Sequence, residues 1–151
     1  MIKVNVEINK KNWQKKIKNH KKYFTKKLNK IKKFVPFFRK KNIIFTILLT
    51  NSINMKKLNK KFRKINKATD VLSFPSFKIN NLKLINKKDV YVGDVAVSYE
   101  IINKRSKKKN FYKEFDKVWV HGLLHLVGYD HIKIKDYYKM CELENKILNS
   151  F

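Results

Sequence analysis

The sequence FYKEFDKVWVHGLLHLVGYDH, residues 111–131, constrains the fold more than any other segment of the chain. Its periodicity predicts a helix from Phe111 to about Val127, and after Lys117 almost every residue is apolar, which is typical of a buried helix. Gly128 then ends the helix, because glycine readily adopts the left-handed conformation that closes one. The segment therefore predicts a buried helix followed by a sharp turn.

Three of the four histidines of the chain lie in this segment, at His121, His125 and His131. The first two are four residues apart, so on a helix they share a face and can offer two nitrogens to one ion. The turn at Gly128 can bring the third histidine back towards them and leave a fourth position for water, as in catalytic zinc sites. If they were core histidines instead, several imidazole nitrogens would need partners, at about 1 to 3 kcal/mol for each unsatisfied group. The spacing therefore predicts one zinc ion per chain, whereas His20, alone in a lysine-rich helix, is expected at the surface.

Strand and helix patterns interleave irregularly in the rest of the chain. The predicted strands are residues 2–8, 43–50, 71–74 and 91–97. A long helix is predicted for residues 13–31, in a segment that Pro36 closes, and a second helix is capped by Asn51 or Ser52 and runs through Arg63. Two further helices are predicted for residues 98–105 and 136–148. Residues 78–89 are polar and suit a loop or an exposed hairpin. This order, without an internal repeat, predicts an α+β fold with a small mixed sheet of about four strands and packed helices. No domain boundary is visible, so residues 1–151 are expected to form a single domain.

The composition is strongly basic, with a net charge of +27. Such a charge attracts polyanions, because each lysine set against a phosphate releases condensed counterions, and RNA and ribosomes are the obvious partners. All but three of the 38 basic residues are lysine, however, and lysine, asparagine and isoleucine, which are abundant here, have A/T-rich codons. Functional anion binding and genomic bias are therefore both open explanations of the charge.

Several features of the sequence favour a reducing, cytoplasmic location. The single cysteine, Cys141, excludes an intramolecular disulfide, and the charged N-terminal residues lack the apolar stretch of a signal peptide. The longest run without charged residues, 42–55, is too short and too polar to span a membrane. We therefore expect a cytoplasmic protein without a membrane partner, in which Cys141 and Met140 belong to the core.

The spacing HxxxHxxGxxH is also that of the metzincin proteases, so a peptidase has to be considered. Those enzymes carry glutamate directly after the first histidine as the general base, whereas this chain has Gly122. A glycine within a helix costs about 1 kcal/mol relative to alanine, which suggests that substrate or another backbone approaches closely there. The ligand spacing is shared with those proteases, but their base is missing.

The sequence resembles the YbeY endoribonucleases, bacterial metalloproteins implicated in maturing the 3′ end of 16S ribosomal RNA and in ribosome quality control. HGLLHLVGYDH, residues 121–131, matches the family motif HGxLHLxGYDH at every fixed position. Further similarity lies in LNKKFR at 58–63, TDVLSFP at 69–75 and GDVAVS at 93–98, and it extends from about residue 42 to 148.

The resemblance implies zinc ligation by His121, His125 and His131, and a functional role for Arg63. The implied activity is a zinc-dependent, single-strand-specific endoribonuclease that acts on ribosomal RNA, with no DNA partner expected. A guanidinium at Arg63 would match two phosphate oxygens and could stabilise the charge of the transition state. Arg63 is therefore expected beside the metal cleft.

The general base is left open among Asp130, Asp70 and Asp94. Asp130 could accept a proton from a ligand's distal nitrogen or merely cap the turn, and Asp70 could instead anchor the loop before Val71. Aromatic side chains could stack on RNA bases or belong to the core, as aromatics that flank strands usually do; the candidates are Phe74, Phe77 and Tyr129.

Three functional hypotheses follow from the sequence. The leading one is a metal-dependent endoribonuclease acting on ribosomal RNA. The second is a metallohydrolase of another class, such as a peptidase, and Gly122 counts against it. The third is a non-catalytic ribosome-binding factor with a structural zinc, which the missing fourth protein ligand disfavours.

Overall fold

The computed structural model of the protein describes residues 1–77, 88–108 and 110–151. Within these residues the strands form one sheet in the order β1, β2, β4, β3; they are β1 Ile2–Ile8, β2 Asn42–Thr50, β3 Val71–Pro75 and β4 Asp89–Ser98. Strands β1, β2 and β4 are parallel, whereas β3 is antiparallel to β4. The predicted α+β class with a small mixed sheet is confirmed.

The helices of the described residues pack around this sheet. They are α1 Lys11–Lys16, α2 His20–Ile31, α3 Pro36–Lys40, α4 Ser52–Arg63, α5 Tyr99–Arg105, α6 Phe111–Leu126 and α7 Ile134–Asn149, with a short 3-10 helix, Ser106–Lys108, after α5. The side chain of Asn51 caps α4 by accepting from the N–H of Asn54 at 2.8 Å, as predicted. No helix of the described residues is long and apolar enough to cross a membrane.

Helices α4 and α6 lie on opposite faces of the sheet, because successive side chains of a strand point to opposite faces. On one face, Val95 and Val97 of β4 join the large core that contains α6. On the other face, Leu72 of β3 and Ala96 of β4 pack with Met55 of α4. Both helices contact β3, which lies at the end of the strand order, so this short edge strand separates them.

Helix α6 is the buried helix that the sequence predicts. It begins where the side chain of Asn110 accepts from the N–H of Tyr112 at 2.8 Å, and Phe115 and Trp119 have no solvent exposure. It ends at Leu126, and Gly128 follows with a φ of 92°, in the left-handed region. The turn expected at this glycine is therefore present.

The long helix predicted for residues 13–31 is wrong, because the chain forms two helices there, α1 and α2. The side chain of Asn19 accepts from the N–H of Lys22 at 2.9 Å and so starts a new helix within the apparent repeat. Pro36 does not end a helix but begins the next one, since its missing N–H and fixed φ suit a first turn. The spacing of apolar residues does not reveal such a break between two helices.

Smaller differences concern single residues and boundaries. His20 is half-buried, not a surface residue, and its Nε2 has no hydrogen-bond partner among the described residues. Met140 belongs to the core, whereas Cys141 is only half-buried. The last helix, α7, begins two residues earlier than predicted, and residues 78–87 of the expected loop or hairpin lie outside the described part of the chain.

At Gly122, helix α6 approaches the sheet closely. A Cβ at this position would lie 2.7 Å from Cγ1 of Val95 and 3.0 Å from Cγ2 of Val71. The hydroxyl of Ser73 donates to the Gly122 carbonyl oxygen at 3.1 Å. The groups that approach this glycine are therefore side chains of the sheet, not the substrate or another backbone that the sequence suggested.

Replacing Gly122 with alanine is expected to lower the free energy of unfolding by about 1 to 3 kcal/mol, because the new methyl group overpacks against stiff valines. The gain in helix propensity, about 1 kcal/mol, only partly offsets this. Urea denaturation measures the change. In a Val95→Ala background the same substitution should cost less, since the clashing methyl is gone; an equal cost in both backgrounds would contradict the contact.

Candidate metal centre

The three histidines of the sequence motif converge at the C-terminal end of α6. His121 and His125 lie on one face of the helix with their Nε2 atoms 3.1 Å apart. His131 reaches them after the turn, and one ligand atom from each residue lies within 4.8 Å of the others. A tetrahedral zinc ion with Zn–N bonds of about 2.0 to 2.1 Å needs nitrogens about 3.3 Å apart, so a small adjustment of the rings would fit the triad around a metal ion.

The turn that returns His131 to the helix is built from local hydrogen bonds. The N–H of Tyr129 donates to the carbonyl of Leu124 at 3.1 Å, as in a glycine-closed helix end. The Asp130 side chain then accepts from the N–H of His131 at 2.7 Å. Of the two roles considered for Asp130, the structure displays the capping of the turn.

Glu144 is a neighbour of the triad to which the sequence analysis gave no role. It lies on α7, and its Oε1 is 2.7 Å from Nδ1 of His121. Since an ionised carboxylate can only accept, Nδ1 carries the proton and the lone pair of His121 lies on Nε2, the atom that faces His125. The sequence placed Glu144 in the predicted helix 136–148 and among the residues that carry the family resemblance, but neither observation specifies a contact with a residue 23 positions away.

Replacing Glu144 with glutamine is expected to weaken metal binding by about 10- to 100-fold, because the acceptor that fixes the His121 tautomer becomes a weaker, neutral group. Competition with a calibrated chelator measures the affinity. Glu142→Gln is the matched control, since Glu142 is on the same helix but pairs with Lys146, 2.6 Å away, in solvent. Equal affinities for the two variants would show that Glu144 does not orient the ligand.

A cavity of about 490 Å³ opens in front of the triad, and Arg63 lines it. Its other lining residues come from the segment around β3 and from the turn after α6: Thr69, Asp70, Val71, Ser73, Pro75, Tyr129, Asp130 and Ile132. Arg63 ends α4, the helix on the opposite face of the sheet, and the short edge strand lets it reach the same cavity. Among the described residues its guanidinium has no hydrogen-bond or ion-pair partner. A free cation therefore faces the three histidines, and no described lysine lines this cavity.

The three candidate bases differ in their surroundings. Asp130 and Asp70 line the cavity, whereas Asp94 does not and accepts from the hydroxyl of Tyr91 at 2.5 Å. Burial raises the pKa of the Asp70 carboxyl. The hydrogen bond and charge of Arg105, with smaller contributions from local hydrogen bonds, lower this pKa by more than burial raises it. The net effect is a pKa below the usual range, so Asp70 is a weak base that anchors its loop.

The electrostatics favour a neutral imidazole at the centre of the triad. Burial lowers the pKa of His125, and the neighbouring His121 and His131 lower it further, while Asp130 opposes them. A neutral imidazole is the form that ligates metals. Tyr129, half-buried at the cavity wall, has a pKa raised by burial, so its hydroxyl stays protonated and can donate a hydrogen bond.

Of the three aromatic residues considered for base stacking, Tyr129 alone lines the cavity. Phe74 packs at 5.0 Å between ring centroids against Phe62, beside the small core under α4. Phe77 is 38% exposed and does not line the cavity. Phe74 is therefore a packing residue, as aromatics in strands usually are.

The chain is similar to known proteins along most of its length. A family model described as Endoribonuclease YbeY matches residues 5–151. A protein of that name from Pelagibacter ubique is 47% identical over 97% of this chain and 94% of its own length. The Endoribonuclease YbeY of Caldicellulosiruptor bescii is 35% identical over 76% of this chain and 77% of its own length. A solution structure of a Thermotoga maritima protein superposes with a TM-score of 0.58 over 99% of this chain and 91% of its own, at 24% identity, which supports the fold.

Proposed function

Because the chain belongs to the YbeY endoribonuclease family, we propose that it is a zinc-dependent, single-strand-specific endoribonuclease that acts in 16S ribosomal RNA 3′ end maturation and ribosome quality control. The observation that carries the proposal is the shared cavity, in which the histidine triad and the unpaired Arg63 face the same space. Metal ligands and a free guanidinium together are suited to a phosphodiester.

We assign the metal ligands to His121, His125 and His131, with Glu144 holding the first of them in the required tautomer. A bound zinc ion supplies a Lewis acid that activates water at neutral pH or polarises a phosphoryl oxygen. Arg63 would hold two phosphate oxygens through its planar fork and stabilise the charge that grows on them. The helices that carry Arg63 and the first two histidines lie on opposite faces of the sheet, and these residues line the same cavity.

Asp130 is the best candidate for the general base. It lines the cavity, and its hydrogen bond to the backbone of His131 uses Oδ1, which leaves Oδ2 for a proton. The low pKa of Asp70 disfavours that carboxylate, and Asp94 lies outside the cavity. A carboxylate next to a ligand is also well placed to orient a water molecule.

The two alternative functions are less compatible with the site. A metzincin-like peptidase would need a carboxylate at position 122, where side chains of the sheet leave no room even for a Cβ. A non-catalytic ribosome-binding zinc protein would be expected to close the metal site with a fourth protein ligand. Among the described residues the clustered metal-binding side chains are the three histidines alone.

The remaining parts of the proposal concern partners and location. We propose that residues 1–151 act as one domain, that the partners are ribosomal RNA and the ribosome, and that neither DNA nor a membrane is a partner. The net charge of +27 is compatible with a polyanionic partner. A cytoplasmic location fits a chain with one cysteine and such a partner.

A side-by-side assay tests the proposal. Purified protein with about one equivalent of zinc is incubated with single-stranded RNA, duplex RNA and a casein-type peptide substrate, each with and without chelator. We expect cleavage of the single-stranded RNA that chelation abolishes and zinc restores, with the peptide left intact. The same protein with His125→Ala controls for contaminating nucleases. The proposal would be refuted if the protein cleaves the peptide, or if His125→Ala cleaves RNA as fast as wild type does.

A further inference from the structure

A second cavity adjoins the cavity in front of the histidine triad, which we call the metal cavity. It measures about 450 Å³ and shares Arg63, Thr69 and Asp70 with its neighbour, so the two cavities have one wall in common. Its remaining walls are formed by the end of α4, the loop that follows and α5, through Asn59, Ile65, Lys67, Ala68, Ile101 and Arg105. Both volumes fall within the range of small-molecule sites, roughly 300 to 1,000 Å³.

The lining of the second cavity combines cations with exposed apolar groups. The side-chain ammonium of Lys67 has no hydrogen-bond or ion-pair partner among the described residues, and Arg105 is held in place by Asp70. Ile65 is 51% exposed, although it is a large aliphatic residue. The unpaired ammonium of Lys67 and the nearby guanidinium of Arg105 lie beside an exposed apolar wall. This combination matches a nucleotide, which offers an anionic phosphate next to an apolar base.

Asn59 holds this loop and leaves one acceptor unused. Its side chain is 5% exposed, its Nδ2 donates to the carbonyl of Lys67 at 2.7 Å, and its backbone carbonyl accepts from the N–H of Ile65 at 3.3 Å. The loop is therefore fixed before any ligand binds. The Oδ1 of Asn59 has no partner among the described residues, and buried polar atoms of this kind normally have one. A hydroxyl or amino group of a bound nucleotide would be a suitable donor.

We propose that the second cavity binds the nucleotide next to the scissile phosphate of a single-stranded RNA, with Lys67 and Arg105 holding its outer phosphate. Ile65 contacts the base or ribose of this nucleotide. Arg63, which is common to both cavities, lies between this nucleotide and the scissile phosphate. The proposal rests on the proposed function, because it places the scissile phosphate in the metal cavity. It adds a binding site outside the catalytic groups and predicts that the enzyme senses substrate length.

The test compares Lys67→Ala with Lys60→Ala, which removes the same charge from an exposed position on α4 outside both cavities. Cleavage is measured as kcat/KM on a dinucleotide and on oligonucleotides extended on either side. For wild type, kcat/KM should rise when the substrate is extended on one side but not when it is extended on the other. Lys67→Ala should lose about 5- to 10-fold on that extended substrate, the effect of one phosphate contact, and less than about 2-fold on the dinucleotide. Equal effects of Lys67→Ala on both substrates, or equal effects of the two variants, would overturn the proposal.

A binding measurement separates this proposal from the nuclease proposal. Anisotropy titrations use single-stranded RNA with phosphorothioate linkages, which resist hydrolysis but keep their charge. For Lys67→Ala, the slope of log Kd against log salt should fall by about 0.7, the value for one phosphate contact on a single strand, and for Lys60→Ala it should not. If wild type fails to cleave RNA but this difference appears, the second cavity is supported and the nuclease function is refuted. If RNA is cleaved and Lys67→Ala binds like wild type, the second cavity is refuted alone.

Discussion

Replacing His125 with alanine is expected to reduce bound zinc from about one ion per chain to nearly none and to abolish cleavage of single-stranded RNA. The residue offers its Nε2 3.1 Å from that of His121, and removing one of three ligands leaves too few for a zinc site. Loss of the Lewis acid removes several kcal/mol of transition-state stabilisation, which corresponds to a rate lowered by about 10³-fold or more. Elemental analysis and the RNA assay measure the two effects.

The control for this substitution is His20→Ala, because His20 is half-buried, lies outside the triad and makes no hydrogen bond through its Nε2 to any described residue. It should keep its metal and its activity. Chelation should also lower the melting temperature of wild type, since a ligand bound only to the folded state stabilises it, and should leave that of His125→Ala unchanged. Full metal content in His125→Ala would exclude the triad as the metal site.

Replacing Arg63 with alanine is expected to lower the rate of RNA cleavage by about 10² to 10³-fold, the usual effect of removing one preorganised donor, while leaving metal content and melting temperature unchanged. The stability should be unaffected because the guanidinium has no partner among the described residues. Arg63→Lys should recover only part of the rate, since a lysine provides a point charge without the bidentate fork. Single-turnover cleavage, elemental analysis and thermal denaturation measure these quantities.

Arg39→Ala is the matched control for the loss of an arginine. Arg39 is exposed at the end of α3, its guanidinium donates to the carbonyl of Lys33, and it does not line the cavity in front of the triad. This variant should cleave RNA like wild type. A normal rate for Arg63→Ala, or unfolding of that variant, would move the phosphate contact to another cation of the cavity region.

The substitutions His125→Ala and Arg63→Ala remove different groups of the same proposed mechanism, so the effect of combining them is informative. If the metal and Arg63 act together on one phosphate, the double variant should be little slower than His125→Ala alone, because groups that act as a unit are not additive. Independent effects that multiply would indicate that Arg63 promotes binding elsewhere along the RNA.

The local features of the site follow from the sequence alone. Two histidines four residues apart share a face of any helix, and a glycine after the last helical residue allows the turn that returns His131. The strands were predictable for a similar reason, since the alternation at 2–8 and the β-branched run at 43–50 are local patterns. The break at Asn19 was missed because a side-chain cap and a mid-helix asparagine look alike in a periodic pattern.

The tertiary structure decided which distant groups meet the triad. The sequence determined the histidine triad and its turn, because helix geometry fixes neighbours three and four residues apart. It could not determine that Glu144 of α7 contacts His121, that Asp70 is held by Arg105, or that position 122 faces the sheet, since each contact depends on how separate elements pack. Arg63 reaches the metal cavity only because a five-residue edge strand separates the two helices, and the packing of side chains across a sheet, not spacing along the chain, sets that distance.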